Sequence, residues 1–489
     1  MAVTSNTAGV STGSAMPTSA PGAPGAMVIA TNNRFWRQTL GSHARVLAVV
    51  RHFAAMGWEL HVAFLGRLNE DDRAGIERLG LSVWPSWHGT APAFTPPMPT
   101  PMPTPTPMPT PAPLSSARRL QSLCAALRKH LRALATQPRR GWPAGGPRAW
   151  WREVRLRAQE PRLSNWMDPR HLACVESLCR QVQPACVLVE YVHFAWLAKG
   201  LRTRLADLVT KPVWLLDTHD VMHERQQRFH AVGEVHGVDI SRAEEAALVA
   251  QFDVVMAIQR RDAGLLQSMH PGGRVICVMH PQPLVAPSGA MNRPIGAKVG
   301  VAFVGSNMAP NVRAARELLQ DIWPLVRVAC PGAAHLLVAG AVCEGLEQGL
   351  EQGLDGPERH DGADADVSLL GFVDDLDGLY AQIDIVASPI RIGGGLKIKN
   401  IDALCRGKAL VTTGVGAEGL EDGAGTAFVQ AEAAAEFAAA LCRLIASAAQ
   451  RTALQQAAFA FASERFSPDA VFRELDATLA AAVASRRTA

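Results

Sequence analysis

Chemistry in this chain concentrates between Ser388 and Asp402, which read Ser-Pro-Ile-Arg-Ile-Gly-Gly-Gly-Leu-Lys-Ile-Lys-Asn-Ile-Asp. A buried-strand pattern ends there, Gly393, Gly394 and Gly395 follow, and Ile398, Ile401 and Leu404 then recur at helical spacing. Glycines ahead of a helix let backbone N–H groups approach a ligand closely. The unpaired amides of the first turn, aided by the helix dipole, attract an anion. The charges sharpen this reading. A helix start favours acids by a few tenths to about 1 kcal/mol each, yet this one carries Arg391, Lys397 and Lys399. A pyrophosphate among them would reverse the penalty, with Arg391 and Lys399 as the groups expected to hold it. Asp402 lies three residues beyond Lys399 on one helical face, where a carboxylate suits the two hydroxyls of a ribose. No GxxxxGK[ST] and no GxGxxG after an early strand are present, which excludes a P-loop and a dinucleotide fingerprint.

A second polar run, Asp217-Thr-His-Asp-Val-Met-His-Glu-Arg225, ends the apolar strand Val213–Asp217. Polar residues at a strand's carboxyl end face the cleft in open α/β sheets, so His219 is a candidate for contact with a reacting group. His219, Asp220 and His223 could also hold a metal. That is not expected, because Arg391 and Lys399 supply the charge a metal would. His193, after strand 185–190, reads as a packed core histidine, with the acceptor side of the cleft as its alternative. Gly41, before a helix over 43–56, would let that helix's amides reach the ligand from the opposite side.

These residues need a scaffold, and the pattern supplies one. At 489 residues the chain exceeds one typical core, and strand and helix signals alternate almost throughout, predicting an α/β protein with parallel sheets. Strands are expected at 27–31, 61–65, 185–190, 213–217 and 253–258, then at 299–305, 335–340, 367–372, 384–389, 409–413 and 426–430. Helices fall at 171–181, 241–250, 312–319 and 468–484. A Pro/Gly-rich junction at 281–296 separates a first domain, 27–296, from a second, 297–489 that includes the terminal helix. Residues 1–26 read as a disordered tail, with Met27 as an alternative start, 92–113 as a polyproline II insert, and 343–366 as a solvent loop.

Apolar residues make up 48% and charged residues 19%, suiting a soluble enzyme, and no window has the roughly 18 apolar residues that span a bilayer. Nine cysteines scattered without a CxxC pair fit reduced thiols in the cytoplasm. The net charge of +4 hides an asymmetry: residues 114–170 hold thirteen Lys/Arg against three acids, with Trp142, Trp150, Trp151 and Trp166 among them. Arg with Trp suits anionic lipid headgroups. Nucleic acid would also accept such a surface, but it is not an expected partner.

Five blocks in order give a family resemblance: Val304-Gly-Ser-Asn, Leu370-Gly-Phe-Val-Asp-Asp-Leu, Pro389-Ile-Arg-Ile-Gly-Gly-Gly-Leu-Lys-Ile-Lys, Ala403-Leu-Cys-Arg-Gly-Lys-Ala-Leu-Val-Thr-Thr and Gly416-Ala-Glu-Gly-Leu. Together they resemble the family 4 glycosyltransferases. The resemblance implies a GT-B fold, two Rossmann-like domains facing a cleft, with an NDP-sugar donor and retention of anomeric configuration. It implies that Asp402 holds the ribose, that Arg391 and Lys399 neutralise the diphosphate, and that His219 binds the donor sugar. Phe372 and Val373 would border the base, and Gly41, Gly305 and Gly393–Gly395 would line the donor. Two features depart from the family. Gly394 stands where the first acid of its paired motif belongs, and no Arg or Lys follows Gly305 closely. The expected enzyme is a hexosyltransferase acting on a saccharide or lipid-linked saccharide acceptor, without a metal or other cofactor. It would serve cell-envelope synthesis in the cytoplasm, peripherally at the inner membrane face. A sugar-nucleotide epimerase and a non-catalytic sugar-nucleotide-binding protein are the alternatives.

Overall fold

A computed structural model describes residues 25–37, 41–86, 146–286, 298–351 and 366–487. The tail, the proline-rich insert and the basic stretch as far as residue 145 lie outside these residues.

The first half runs β1 (Ala26–Thr31), α1 (Gly41–Ala55), β2 (Glu59–Phe64), α2 (Glu70–Leu79), β3 (Ser82–Pro85), α3 (Gly146–Gln159), α4 (Pro169–Val182), β4 (Cys186–Glu190), α5 (Trp196–Arg204), β5 (Val213–Asp217), α6 (Met222–Ala231), α7 (Arg242–Val249), β6 (Val254–Ala257), α8 (Arg260–Met269) and β7 (Arg274–Cys277). The second runs β8 (Val299–Val304), α9 (Ala309–Glu317), α10 (Trp323–Ala329), β9 (Ala334–Ala339), α11 (Val342–Glu351), β10 (Val367–Gly371), α12 (Leu376–Ala381), β11 (Ile385–Ser388), α13 (Ile398–Cys405), β12 (Ala409–Thr412), β13 (Val429–Gln430), α14 (Ala434–Ala446), α15 (Ala448–Arg465) and α16 (Pro468–Arg487). Among the described residues these strands form two parallel sheets, ordered β3-β2-β1-β4-β5-β6-β7 and β10-β9-β8-β11-β12-β13.

Strands β1, β4, β5 and β8 are near-continuous apolar runs because helices cover both faces of each sheet. In both sheets the order reverses direction beside the first strand of the half, β1 or β8, opening a crevice at the strands' carboxyl ends. The candidate residues above lie at these strand ends, on the loops leaving them or in the helices that those loops enter.

Two expectations change. The segment after Cys343 begins as helix α11, which buries Val342, Cys343 and Leu346, so its first third is core rather than solvent loop. The terminal helix α16 belongs to the first domain's core. Val471, Phe472, Leu475 and Leu479 pack with Val46, Val50 and Phe53 of α1, and Phe472 stacks on His52 at 3.9 Å. The chain thus crosses back after completing the second sheet, and the unit boundary at 297 is crossed twice. No helix among the described residues is long and apolar enough to cross a membrane.

Candidate donor site at the glycine loop

Strand β11 ends at the buried Ser388, and the chain turns through Gly393 (φ 126°) and Gly395 (φ 66°) into α13. Both glycines adopt a left-handed backbone that a side chain would strain. A Cβ on Gly395 would lie 2.6 Å from Asp220 Oδ1 across the cleft, so a side chain is also excluded by space. Helix α13 starts after Lys397, whose side chain makes no capping bond, so its first amides remain available to an anion. Asn400 fixes the helix from behind, donating to Thr412 Oγ1 at 3.1 Å and Gly416 O at 2.8 Å.

The structure separates the three cations. Arg391 pairs with both Glu317 oxygens, at 2.8 and 2.7 Å, and donates to Glu432 O, on an exposed edge. Hydrogen bonding to Glu317 raises its pKa further. Lys397 lies 3.5 Å from Glu418 and donates to Gly395 O at 2.8 Å. Among the described residues Lys399 has only a neutral hydrogen-bond partner, Asn311 Oδ1 at 2.6 Å, and its ammonium sits 4.5 Å from the centre of the Phe303 ring. Burial, then the charge of Lys397, pushes Lys399 down to about 7. The penalty read from the sequence is therefore offset inside the protein for Arg391 and Lys397, and survives at Lys399. Arg391 is not brought beside Lys399.

Asp402 accepts from Gln282 Nε2 at 2.7 Å and from Arg406 Nε at 2.8 Å, tying α13 to the chain segment that links the sheets. Its carboxylate thus serves a bridge in this state rather than standing open beside Lys399. Gly305 ends β8, where a Cβ would press on Phe303 at 3.0 Å and on Asn311 at 3.3 Å. Phe372, after the edge strand β10, is 62% exposed, and Val373 adjoins it.

On the opposite wall, α1 begins at Gly41, where a Cβ would lie 3.1 Å from Ile398 Cδ1, so the starts of α1 and α13 face each other closely. Beneath them lies a buried polar network. Arg45 holds both Asp217 oxygens at 2.8 Å and donates to Val278 O and Met279 O. Burial alone would raise the Asp217 carboxyl, but Arg45 and His219 outweigh it and leave it below its ordinary value. His219 Nε2 meets Glu190 Oε2 at 2.6 Å, and its ring stacks on Tyr191 at 4.0 Å. Its φ of 61° is a left-handed strain at a non-glycine residue beside a cleft, a mark of functional sites.

The metal set considered from sequence does not assemble: Asp220 lies 3.6 Å from Arg225, and His223 bonds Glu245 at 2.6 Å. Glu190, Asp217 and His219 do converge, with candidate ligand atoms within 4.8 Å of one another, but Arg45 already occupies both Asp217 oxygens. Sequence reasoning missed Arg45, Glu190 and Tyr191. The strand-end rule that singled out Asp217 applies equally to Glu190, and Arg45 is a charge embedded among Val46, Leu47, Val49 and Val50 on a buried helix.

Residues 298–447, which carry the glycine loop, Lys399 and Asp402, match the family described as Glycosyl transferases group 1. The second domain thus contains a region similar to that family. The whole chain has the GT-B glycosyltransferase fold. It is similar to Anabaena HepE in complex with UDP and glucose, at 13% identity over 93% of this chain and 98% of that one, TM-score 0.54. Similarity to the sucrose-phosphate synthase of Thermosynechococcus elongatus is 12% identity over 94% and 100% of the two chains, TM-score 0.57. TarM of S. aureus, in complex with fondaparinux, alpha-GlcNAc-glycerol and UDP, is similar at 8% identity over 93% and 99%, TM-score 0.54. No curated protein sequence matches the chain. In this glycosyltransferase fold the two halves also touch directly: Arg228 of the first domain donates to Gly393 O at 3.0 Å and pairs with Glu418.

Proposed function

We propose that the protein is a retaining glycosyltransferase that moves a sugar from an NDP-sugar to an acceptor hydroxyl, in assembly of a cell-envelope polysaccharide or glycolipid. The observation that carries this reading is Lys399: a half-buried cation with no carboxylate partner among the described residues, beside a glycine loop, at the start of a helix. A diphosphate completes that set. The amides of α13 and Lys399 would stabilise the leaving diphosphate as charge develops on it. His219, held in one orientation by Glu190 and Tyr191, would position the donor sugar, and no metal is invoked. UDP is the first candidate because the HepE and TarM complexes contain it. A thermal-shift screen of UDP-, GDP- and ADP-sugars tests the reading. A ligand at 100 times its Kd stabilises the folded state by about 2.7 kcal/mol, whereas no shift with any of them would remove its basis.

Lys399 also sets a pH dependence. The free side chain loses its proton as pH rises through about 7, whereas a bound diphosphate favours the charged form. Binding above that pH therefore takes up a proton, and the UDP Kd should rise between pH 7 and 9, approaching about tenfold per unit. A Kd flat across this range in titration calorimetry would contradict the assignment of Lys399.

The peripheral membrane role rests on α3, which turns Val154 and Leu156 inward and leaves Trp151, 47% exposed, beside exposed Arg152 and Arg155. Juxtamembrane cations contribute about 1 kcal/mol each at an anionic surface. Flotation with phosphatidylglycerol vesicles should recover the protein at low salt and lose it at high salt. Recovery no better on these than on neutral vesicles would count against recognition of anionic headgroups, and no recovery on either would count against a membrane role.

A further inference from the structure

A cavity of about 290 Å³ opens between the two domains, walled mainly by the first: Trp166, Tyr191, His193, Phe229 and His236 face Met308 from the second. Its floor is continuous with the reacting centre. Tyr191 stacks on His219, and Asp220 and Arg225 line both this cavity and the narrow crevice against Gly394 and Gly395. We propose, resting on the transferase reading above, that this cavity holds the reacting unit of the acceptor, and that this unit is an uncharged sugar ring.

Three observations converge on that chemistry. The walls are aromatic and thioether surfaces, which match the apolar C–H faces of a pyranose. The rim carries ionic side chains, but they neutralise each other: Asp220 lies 3.6 Å from Arg225, and Glu234 is bonded to Arg313 of the second domain. An anionic acceptor, such as a sugar phosphate or uronate, would find no uncommitted counter-charge there and would face two carboxylates. Third, both ring nitrogens of His193 and Nε2 of His236 are buried without a hydrogen bond in the described protein. Burial pushes His193 to about 3 with help from neighbouring histidines, and His236 to about 3 with help from Arg225. At neutral pH His193 is an uncharged imidazole able to donate at one nitrogen and accept at the other, the pairing that hydroxyls use, whereas His236, whose Nδ1 meets Val238 O at 3.0 Å, offers Nε2 as an acceptor. Buried polar atoms without partners are costly in a finished core. Their clustering on one cavity wall fits a surface built for a ligand.

The wall also explains why this region is elaborated. Trp166 comes from the turn Leu163–Trp166 between α3 and α4, and packs at a tilt against His193 with ring centres 4.4 Å apart. Glu160, after α3, bonds His230 at 2.7 Å and the backbone N–H of His236 at 2.6 Å, clamping the loop that closes the cavity. The carboxyl-terminal end of the basic stretch thus contributes to the acceptor wall.

The test uses the full chain and saturation-transfer difference NMR with methyl glycosides of glucose, galactose, mannose and N-acetylglucosamine. Glucose 6-phosphate and methyl glucuronide serve as charged probes. At least one neutral glycoside should give a signal, and the charged probes should not. His193→Phe, which keeps the ring and removes the nitrogens, and Val235→Trp, which obstructs the mouth from a position 42% exposed, should each reduce that signal at least fivefold. Calorimetric UDP affinity should stay within twofold, and the thermal midpoint of His193→Phe should not fall. Charged probes binding as well as neutral ones, no neutral glycoside binding, or unchanged signals in both variants would each overturn the proposal. A parallel loss of UDP affinity would place the nucleotide there instead. Failure of UDP to bind the unaltered protein would sink the transferase reading, while the glycoside signals would still report on the cavity.

Discussion

Lys399→Ala should abolish the thermal shift given by the nucleotide-sugar donor and lower kcat/KM about 100- to 1,000-fold, the loss typical when one preorganised charge stabiliser is removed. The unliganded variant should be no less stable than the parent. The ammonium donates one neutral hydrogen bond to Asn311 and lies 4.5 Å from the Phe303 ring centre, while burial holds its pKa near 7, so its removal relieves desolvation at the expense of those two contacts. Arg391→Ala should behave differently. Its exposed pairing with Glu317 is a surface ion pair worth about 0–1 kcal/mol, and no contact places it beside Lys399. Donor affinity measured on both variants separates the two: equal losses would restore the sequence-level picture of a shared cluster, and a loss confined to Lys399→Ala would support the geometry.

Arg45→Ala should destabilise the first domain by about 3–5 kcal/mol, because it leaves the Asp217 carboxylate buried without its counter-ion. Both side chains are essentially inaccessible. The carbonyls of Val278 and Met279, where the chain leaves β7, lose a donor at the same time. Against a typical domain stability of about 5–15 kcal/mol, that is about a fifth of the total or more. Urea titration followed by tryptophan fluorescence should show the transition of the first domain moving to lower denaturant. The Arg45→Met/Asp217→Leu double variant should recover part of the loss, since replacing both partners removes the uncompensated charge. A shift below about 1 kcal/mol in the single variant would mean that water reaches the pair.

The sheets were legible because parallel strands covered on both faces write themselves as apolar runs, as Val299–Val304 and Val213–Asp217 do. What escaped has physical reasons. Strand β3 is short, lies at a sheet edge and ends in Pro85, so it carries little of that pattern. Helix α2 was announced by Asn69 and Asp72, which form a reciprocal capping box, but it buries too few apolar side chains to show a periodic stripe. The apolar face of α16 was visible, whereas the core that receives it was not, since a stripe does not name its partner.

The same limit governs the site. Local helix physics flagged an excess of positive charge at α13. It could not see that Glu317, 74 residues away in sequence, takes Arg391, or that Gln282, 120 residues away, takes Asp402. Lys399 kept its significance because tertiary structure gave it no acid. His219 was found by its place after a strand, while Glu190, Arg45 and Tyr191, which hold it and its neighbour, become visible only once β4, β5 and α1 are adjacent.

The crystal structure of the UDP complex bears most directly on all of this. The diphosphate should lie across the first turn of α13, with an oxygen within about 3 Å of Lys399 Nζ, drawn from Asn311, and with amides of the glycine loop donating to it. Nucleotide bound elsewhere, or Lys399 still hydrogen-bonded to Asn311 with UDP present, would contradict the assignment of this helix start as the donor site.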